Sequence, residues 1–214
     1  FEYIKQASPD GLAQAFILAE DFIKGDNVCL ILGDNIFYGH DLSKLLINAK
    51  KSVEANGGAA VLAYQVADPE RYGVIEFDDK DLSKVVSIEE KPTNPKSDFA
   101  ITGLYFYDSN VCDLAKKIKP SARGELEISS LNQLYLDKGA LKSITMGRGY
   151  AWFDTGTYES IMEASLLISS IEKRQGLKIG CPEEIAYHNK WINKQQLSKI
   201  AEGLSKNNYG KYLK

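Results

Sequence analysis

An apolar run that stops abruptly at a glycine and an acid limits the folds open to this chain. Residues 27–32 read Asn-Val-Cys-Leu-Ile-Leu, and Gly33-Asp34-Asn35 follow at once. Because successive side chains of a strand point to opposite faces, such a run predicts a strand covered on both faces, as in a parallel sheet. A second buried strand is predicted at 59–66, after a helix that Asp41 can cap. This alternation predicts a doubly wound α/β sheet.

The remaining elements follow from periodicity and turn signals. A short strand is predicted at 1–5 and a helix from Ser8-Pro9 to about Lys24. Two strands around the turn at 78–81 predict an inserted hairpin. Further elements are a strand at 99–107, helices at about 110–118 and 127–136, a strand at 141–146, a long helix at 157–173 and polar helices from Pro182 onward.

Composition excludes several classes of function. The formal net charge is -3, which argues against a general nucleic-acid binder, because phosphate neutralisation requires a basic surface. No apolar run approaches the ~20 residues of a membrane span, so no membrane partner is expected. The three cysteines are widely spaced and form no CxxC pair. They predict reduced thiols in a cytoplasmic protein rather than a disulfide framework or a zinc site.

Two acids are predicted to follow strand ends. Asp34 follows the run at 27–32, and Asp154 lies in Trp-Phe-Asp-Thr-Gly at 152–156. Open α/β sheets bind ligands at the carboxyl ends of their strands, and Mg²⁺ takes one or two carboxylates plus substrate phosphates. Taken alone, each motif has a plain alternative: Gly-Asp-Asn is also a turn, and Asp154 can cap the next helix.

Other segments offer weaker signals. Lys91, in Glu-Glu-Lys-Pro, is a possible point charge for a phosphate, and Arg71-Tyr72-Gly73 could present a ring and bare backbone to a sugar. A solvated strand end and a turn explain them equally well. The segment from Gly11 opens a helix whose N–H groups could face an anion. Dinucleotide, P-loop, GxSxG and HExxH signatures are missing from the sequence.

Together, these motifs resemble the glucose-1-phosphate thymidylyltransferase (dTDP-glucose pyrophosphorylase) family. The resemblance is collinear from Phe1 to about Leu213. The segments that carry it are 6–15, 32–40, 68–74, 89–92, 102–107, 123–128, 147–152 and 181–186. It implies a nucleotide-diphospho-sugar transferase-like fold with a mostly parallel doubly wound sheet, an inserted β-hairpin region and C-terminal helices. It also implies an α/β domain at 1–180 and a helical extension at 181–214 packed on it.

The resemblance implies a reaction and its residues. A phosphate oxygen of glucose 1-phosphate would attack the α-phosphate of dTTP, giving dTDP-glucose and pyrophosphate for dTDP-rhamnose and polysaccharide biosynthesis. Mg²⁺ would be the cofactor, held by Asp34 and Asp154, and Lys91 and Arg123 would be the catalytic cations. The substrate-binding residues would be Gln6, Gly11 and Leu12 on the thymine side and Asp34, Tyr72, Gly73, Glu90, Lys91, Ile101 and Trp152 on the sugar-phosphate side.

Regulation and assembly are also implied by the resemblance. A second nucleotide site for feedback by dTDP-sugars would include Tyr38, Gly39, His40, Arg148 and Glu184. Relatives form homotetramers, so a homo-oligomer is expected. The family opens with a glycine-rich Gly-Gly-x-Gly-Thr-Arg loop, which has no counterpart before Phe1. We therefore expect an N-terminally truncated member, active as part of a longer chain and not active by itself.

Three alternatives stay open at this stage. A related enzyme would use UTP in place of dTTP, since uracil-specific relatives share much of the fold. A metal-dependent glycosyltransferase would carry an Asp-x-Asp pair, whereas this chain has Asp34-Asn35-Ile36. A non-catalytic fragment that only binds sugar nucleotides would not need the glycine-rich Gly-Gly-x-Gly-Thr-Arg loop.

Overall fold

The structure is a computed structural model that describes the backbone of all 214 residues and every side chain except those of Leu82 and Ser83. The chain divides into two compact units, Phe1–Asp154 and Thr155–Lys214. The domain boundary predicted at 180 falls inside the second unit. Each unit has its own buried cluster of apolar side chains.

The first unit contains a large mixed sheet and a smaller one. The large sheet consists of β1 (Val28–Ile31), β3 (Ala59–Gln65), β4 (Gly73–Asp78), β5 (Asp81–Glu90), β6 (Phe99–Tyr107) and β7 (Leu141–Met146). The smaller sheet pairs β2 (Asn35–Gly39) with β8 (Tyr150–Asp154) in antiparallel register. The order of the large sheet is β5-β4-β6-β3-β7, and β1 also pairs with β6.

Strand directions agree with the predicted α/β class. β1, β3 and β4 run antiparallel to β6, and β7 runs parallel to β3. Consequently β1, β3, β4 and β7 share one direction, and β5 and β6 run against it. The class, the inserted hairpin of β4 and β5, and the helical C-terminal region are confirmed.

A gap along one edge of β6 sets the position of the candidate site. β3 pairs with one edge of β6 from Phe99 to Tyr107. The other edge is shared by β1, which pairs at 104–107, and β4, which pairs at Ala100. Between them, the amide of Leu32 donates to the carbonyl of Gly103 at 2.9 Å. Ile101 and Gly103, which lie between these paired segments, line a cavity of ligand size.

Helices cover both faces of the large sheet. In the first unit they are α1 (Gln14–Leu18), α2 (Glu20–Ile23), α3 (Leu42–Asn56), α4 (Val111–Ala115) and α5 (Ile128–Asp137). Ala49 and Val53 of α3 pack in one cluster with Leu62 and Phe106. On the opposite face, Phe16, Tyr107, Leu131 and Tyr135 belong to the larger cluster. Phe16 meets Tyr107 edge to face at 5.2 Å between ring centroids.

The second unit is helical. It contains α6 (Tyr158–Gln175), α7 (Pro182–His188), α8 (Lys194–Gly203) and α9 (Asn208–Tyr212). Thr157 and Ser160 form a capping box at the start of α6. Cys181, Ala201 and Leu213 form the buried cluster of this unit. Across the described residues of both units, the helices are too short or too polar to cross a bilayer.

Three local predictions were wrong. Phe1–Lys5 is exposed and forms no strand in the described backbone, because no neighbouring strand takes up its hydrogen bonds. The first helix begins at Gln14 rather than Ser8, since the hydroxyl of Ser8 donates to Asp10 and Gly11 has a φ of +106°. β1 is not covered on both faces, because Cys29 and Ile31 are exposed. Cys112 and Cys181 are buried, and all three cysteines are free thiols.

Candidate active site

A cavity of about 170 Å³ lies in the first unit beside the open segment of β6. It is bounded by residues that follow β1, by the start of β4, by the end of β5, by the first turns of α5 and by β8. The lining includes Leu12, Leu32, Asp34, Asn35, Arg71, Tyr72, Gly73, Glu90, Lys91, Ile101, Gly103, Tyr105, Ile128, Ser129, Asn132, Trp152 and Asp154. Residues from seven separate segments of sequence therefore meet in one concave site.

The two acids predicted to hold a metal lie at the same end of the β2–β8 ladder. Asn35 is the Cα partner of Asp154, and Asp34 immediately precedes Asn35. The Asn35 amide donates to Oδ1 of Asp34 at 2.8 Å, and Arg71 approaches Oδ2 of Asp154 to 4.0 Å. Among the described residues, no group of three or more His, Cys, Asp or Glu side chains is suited to a metal. The pair fits a divalent cation whose remaining ligands would be substrate phosphates and water.

Aromatic side chains form one wall of the cavity. Trp152 is 8% exposed and its ring centroid lies 5.1 Å from that of Tyr72. Tyr64 packs edge to face against Trp152, with 6.0 Å between the ring centroids. The guanidinium of Arg71 lies 5.3 Å from the centroid of Tyr72, a cation–π distance. Rings held in this way offer a flat apolar surface to a sugar.

Polar groups of the hairpin face this wall. Gly73 pairs with Glu90 across β4 and β5, and a Cβ on Gly73 would lie 3.3 Å from Oε2 of Glu90. Burial raises the pKa of the Glu90 carboxyl, although a hydrogen bond from Ser129 opposes this shift. Lys91 has a left-handed φ of 44°, and its amide donates to the carbonyl of Tyr72 at 2.9 Å. The backbone therefore holds Lys91, Tyr72 and Glu90 in a fixed arrangement.

Arg123 lies at the border of the site, in the loop before α5. Its guanidinium is 3.1 Å from Glu125, 3.5 Å from Glu127 and 3.9 Å from Glu90. Glu127 is buried and also accepts a hydrogen bond from the hydroxyl of Ser121 at 2.7 Å. The surrounding carboxylates hold the cation next to Glu90 of the cavity.

The predicted base-recognition loop is joined to the cavity through Leu12. Gln6 donates to the carbonyl of Gly11 at 3.1 Å and to Oε1 of Gln14 at 2.7 Å. A Cβ on Gly11 would come within 2.4 Å of the backbone of Leu126. Gln6 and Gly11 do not themselves line the cavity.

The predicted regulatory residues lie elsewhere. Gly39 is the ladder partner of Tyr150, so Tyr38, Gly39 and His40 are at the opposite end of β2 from Asp34. Arg148 lies in the turn just before β8, at that same end. Glu184 belongs to the second unit, where it accepts a hydrogen bond from the hydroxyl of Tyr212 at 2.9 Å.

Comparison with known proteins decides the family. A family profile described as Nucleotidyl transferase matches residues 1–170. This chain belongs to the nucleotidyl transferase family. Its enzyme class, nucleotidyltransferase, is the one predicted from the sequence motifs.

Curated relatives refine the comparison. A glucose-1-phosphate thymidylyltransferase of Neisseria meningitidis serogroup A is 54% identical over 211 residues, which cover 99% of this chain and 72% of the relative. Its counterpart of the same name in Mycobacterium tuberculosis is 47% identical, with 99% and 71% covered. This chain therefore spans about seven tenths of these nucleotidyl transferases.

Solved structures show the same fold. A putative glucose-1-phosphate thymidylyltransferase from Bacillus anthracis, in complex with a sucrose, superposes with a TM-score of 0.65 at 41% identity. The match covers 77% of this chain and 63% of that one, so the chain spans less than two thirds of the solved relative. A UDP-glucose pyrophosphorylase complexed with UDP-glucose has a TM-score of 0.70 at 22% identity, with 79% and 66% covered, which shows the fold alone.

Several cavity residues of this nucleotidyl transferase were not singled out from sequence. Asn35 reads as part of a turn in the sequence, although it contacts three other residues of the site. Tyr105 and Asn132 fall within a predicted strand and a predicted helix, and the sequence indicates no role for them. Asn132 has one usable signal: it is an amide at helical spacing from Ile128 and Tyr135. In the structure it is fully buried, and its Oδ1 accepts a hydrogen bond from Tyr107 at 2.6 Å.

Proposed function

We propose that this site joins glucose 1-phosphate to the thymidylyl group of dTTP, giving dTDP-glucose and pyrophosphate. The observation that carries the proposal is the shared name of relatives that are 43–54% identical over 99% of the chain. It is supported by the cavity, which combines an aromatic wall, the half-buried carboxylate of Glu90, exposed lysine and arginine side chains and two acids.

Atoms balance in a single displacement. An oxygen of the sugar phosphate forms a bond to the α-phosphorus of dTTP, the bond from that phosphorus to the bridging β-oxygen breaks, and pyrophosphate leaves. No side chain has to remove a proton, because the attacking phosphate is already ionised. Catalysis of this kind depends on positioning and on stabilising charge. Mg²⁺, held by Asp34 and Asp154, would supply charge stabilisation at the α-phosphate when bound.

We propose the remaining roles as the resemblance to the family implies them, and the positions of several of these residues in the cavity support them. The Glu90 carboxylate, beside the bare backbone of Gly73, would accept hydrogen bonds from glucose hydroxyls, and Trp152 would pack against the ring. Lys91 would bind the sugar phosphate, and Arg123 would add positive charge near it. Ile101 would close the apolar floor. Gln6 and the Gly11 segment would read the thymine edge, since an amide both donates and accepts.

The finer parts of the function are also proposals. We propose that dTDP-sugars bind near Tyr38-Gly39-His40 and Arg148 of the first unit and inhibit the enzyme. A regulatory role of Glu184, in the second unit, stays a prediction. We further propose a cytoplasmic homotetramer. That these 214 residues turn over poorly by themselves stays a prediction.

The proposal is tested by measuring pyrophosphate release from the full-length gene product with Mg²⁺ and glucose 1-phosphate, using dTTP or UTP as the nucleotide. We expect release with dTTP to exceed release with UTP and to stop when Mg²⁺ is chelated. Faster release with UTP would assign the uridylyl reaction instead. Absence of release with either nucleotide would refute the transferase proposal.

A further inference from the structure

One amide side chain connects three parts of the candidate site. Oδ1 of Asn35 accepts hydrogen bonds from the indole Nε1 of Trp152 at 2.6 Å and from the backbone amide of Gly103 at 3.0 Å. Its Nδ2 donates to Oδ1 of Asp34 at 2.8 Å. A carboxamide is a neutral group that accepts at one terminal atom and donates at the other. In this site the carboxamide oxygen of Asn35 accepts two hydrogen bonds and its nitrogen donates one.

The contact with Gly103 is as close as backbone packing permits. A Cβ on Gly103 would lie 2.5–2.7 Å from Oδ1, Cγ and Nδ2 of Asn35, inside van der Waals contact. Gly103 lies on the edge of β6 between the segments paired with β1 and β4. Its amide therefore takes its acceptor from a side chain, and a buried amide left without an acceptor would be costly.

These bonds join the two sheets of the first unit. Asn35 belongs to β2, Trp152 to β8 and Gly103 to β6 of the large sheet. Trp152 is the aromatic wall that meets Tyr72 at 5.1 Å. The Asn35 carbonyl thus sets how far the indole stands from the floor of the cavity at 101–103.

We propose that Asn35 is a positioning residue that holds Trp152 against β6 through its Oδ1 and orients the Asp34 carboxylate through its Nδ2. The proposal rests on the proposed function, because it assigns Asn35 to the sugar-binding wall of that same site. The roles proposed for Oδ1 and Nδ2 can be separated by substitution. Asn35→Asp keeps an acceptor oxygen for Trp152 and Gly103 but loses the donor to Asp34, whereas Asn35→Leu loses both.

The test combines kinetics with a spectroscopic readout that does not depend on turnover. The KM for glucose 1-phosphate and kcat are measured in the full-length protein, and the Trp152 indole N–H is followed by ¹H–¹⁵N NMR. The variant Trp152→Phe assigns the indole signal of Trp152, and Trp191→Phe assigns that of Trp191, which is 72% exposed and outside the site. Asn56→Leu and Asn56→Asp are matched controls, since Asn56 is exposed at the end of α3 and bonds only its own helix among the described residues.

We expect Asn35→Leu to move the Trp152 indole proton upfield and to raise the KM for glucose 1-phosphate about tenfold, the effect of losing one well-made hydrogen bond. Asn35→Asp should keep the wild-type indole signal and a KM near the wild-type value while lowering kcat. Asn35→Ser removes the same contacts without added bulk and replaces Asn35→Leu if that variant does not fold.

Two results would overturn the proposal: an unchanged indole signal in Asn35→Leu or Asn35→Ser, or the same indole shift and KM in Asn35→Asp as in Asn35→Leu. A wild-type protein without thymidylyl transfer would refute the proposed function by itself. The indole signal of the variants would still decide whether Asn35 orients Trp152.

Discussion

Asn35 lies directly opposite Asp154 in the β2–β8 ladder, which places Asp34 next to Asp154 at the end of two adjacent strands. Neighbouring strands are about 4.8 Å apart, so the backbone segments that carry the two acids are close although 120 residues separate them in the chain. Because like charges repel, two carboxylates on neighbouring strand ends favour a cation between them. This relationship leads to the first prediction.

Asp34→Asn and Asp154→Asn should each lower pyrophosphate release about 10³-fold, because each removes one negative ligand of the proposed Mg²⁺ while keeping the side-chain size. Binding of Mn²⁺, measured by electron paramagnetic resonance, should weaken in parallel. Asp113→Asn is the control, since Asp113 is an exposed acid on α4. Turnover and Mn²⁺ binding near wild-type values in either site variant would reject the assigned roles.

Gly11→Ala should disturb the predicted thymine loop more than Gly25→Ala disturbs its own turn. Both glycines have positive φ, so both variants incur a backbone cost of about 1–2 kcal/mol. A Cβ on Gly11 would also lie 2.4 Å from the backbone of Leu126, whereas a Cβ on Gly25 would meet nothing within 4 Å. Thermal unfolding and the KM for dTTP would measure the difference, and equal effects of the two substitutions would contradict it.

Gly103→Ala should lower turnover by displacing the Asn35 amide, because the new methyl would occupy the same space. We expect a loss of at least about tenfold, with a shift of the Trp152 indole signal. Gly203→Ala serves as the matched change, since nothing lies within 4 Å of a Cβ there and the residue is helical. Retention of full activity and of the indole signal in Gly103→Ala would count against the close packing described.

Asp108→Asn should lower the free energy of unfolding by about 1–3 kcal/mol at neutral pH. Desolvation raises the pKa of Asp108, but hydrogen bonds from Gly58, Tyr135 and Asn110 outweigh it, so the pKa lies below its ordinary value of 3.8. A carboxyl with a lowered folded pKa stabilises the protein above 3.8, and this contribution is lost as the pH falls through the folded pKa.

Denaturant unfolding between pH 2 and pH 7 would test this, with Asp113→Asn as the exposed control. The wild type should lose stability below about pH 4, and Asp108→Asn should lose less over the same range. Identical acid profiles of the wild type and Asp108→Asn would refute the role of this carboxylate.

The most regular strands of the fold could be read from sequence. β6 and β7 are predicted to the residue, because β6 is a nearly continuous apolar stretch and β7 carries apolar residues among polar ones between clear ends. β2 was missed, since its mixed residues at 35–39 are stabilised by pairing with β8 far along the chain. The strand expected at 1–5 is absent from the described backbone, because strand formation needs a partner that local pattern does not reveal.

Most residues of the candidate site could be predicted from the sequence, but the hydrogen bonds that join them could not. Nine of the predicted substrate and metal residues line one cavity: Leu12, Asp34, Tyr72, Gly73, Glu90, Lys91, Ile101, Trp152 and Asp154. Their roles remain predictions. The contacts of Asn35 could not be read from the sequence, because its partner Trp152 is 117 residues away and a Gly-Asp-Asn turn explains the motif locally.

The most direct test of the account is a crystal structure of the full-length protein with dTDP-glucose and Mg²⁺. We expect the glucose ring to pack against Trp152, its hydroxyls to lie within hydrogen-bond distance of Glu90, and Asp34 and Asp154 to bind the metal beside the diphosphate. Clear density for the sugar nucleotide away from this cavity, with Asp34 and Asp154 not bound to metal, would contradict it.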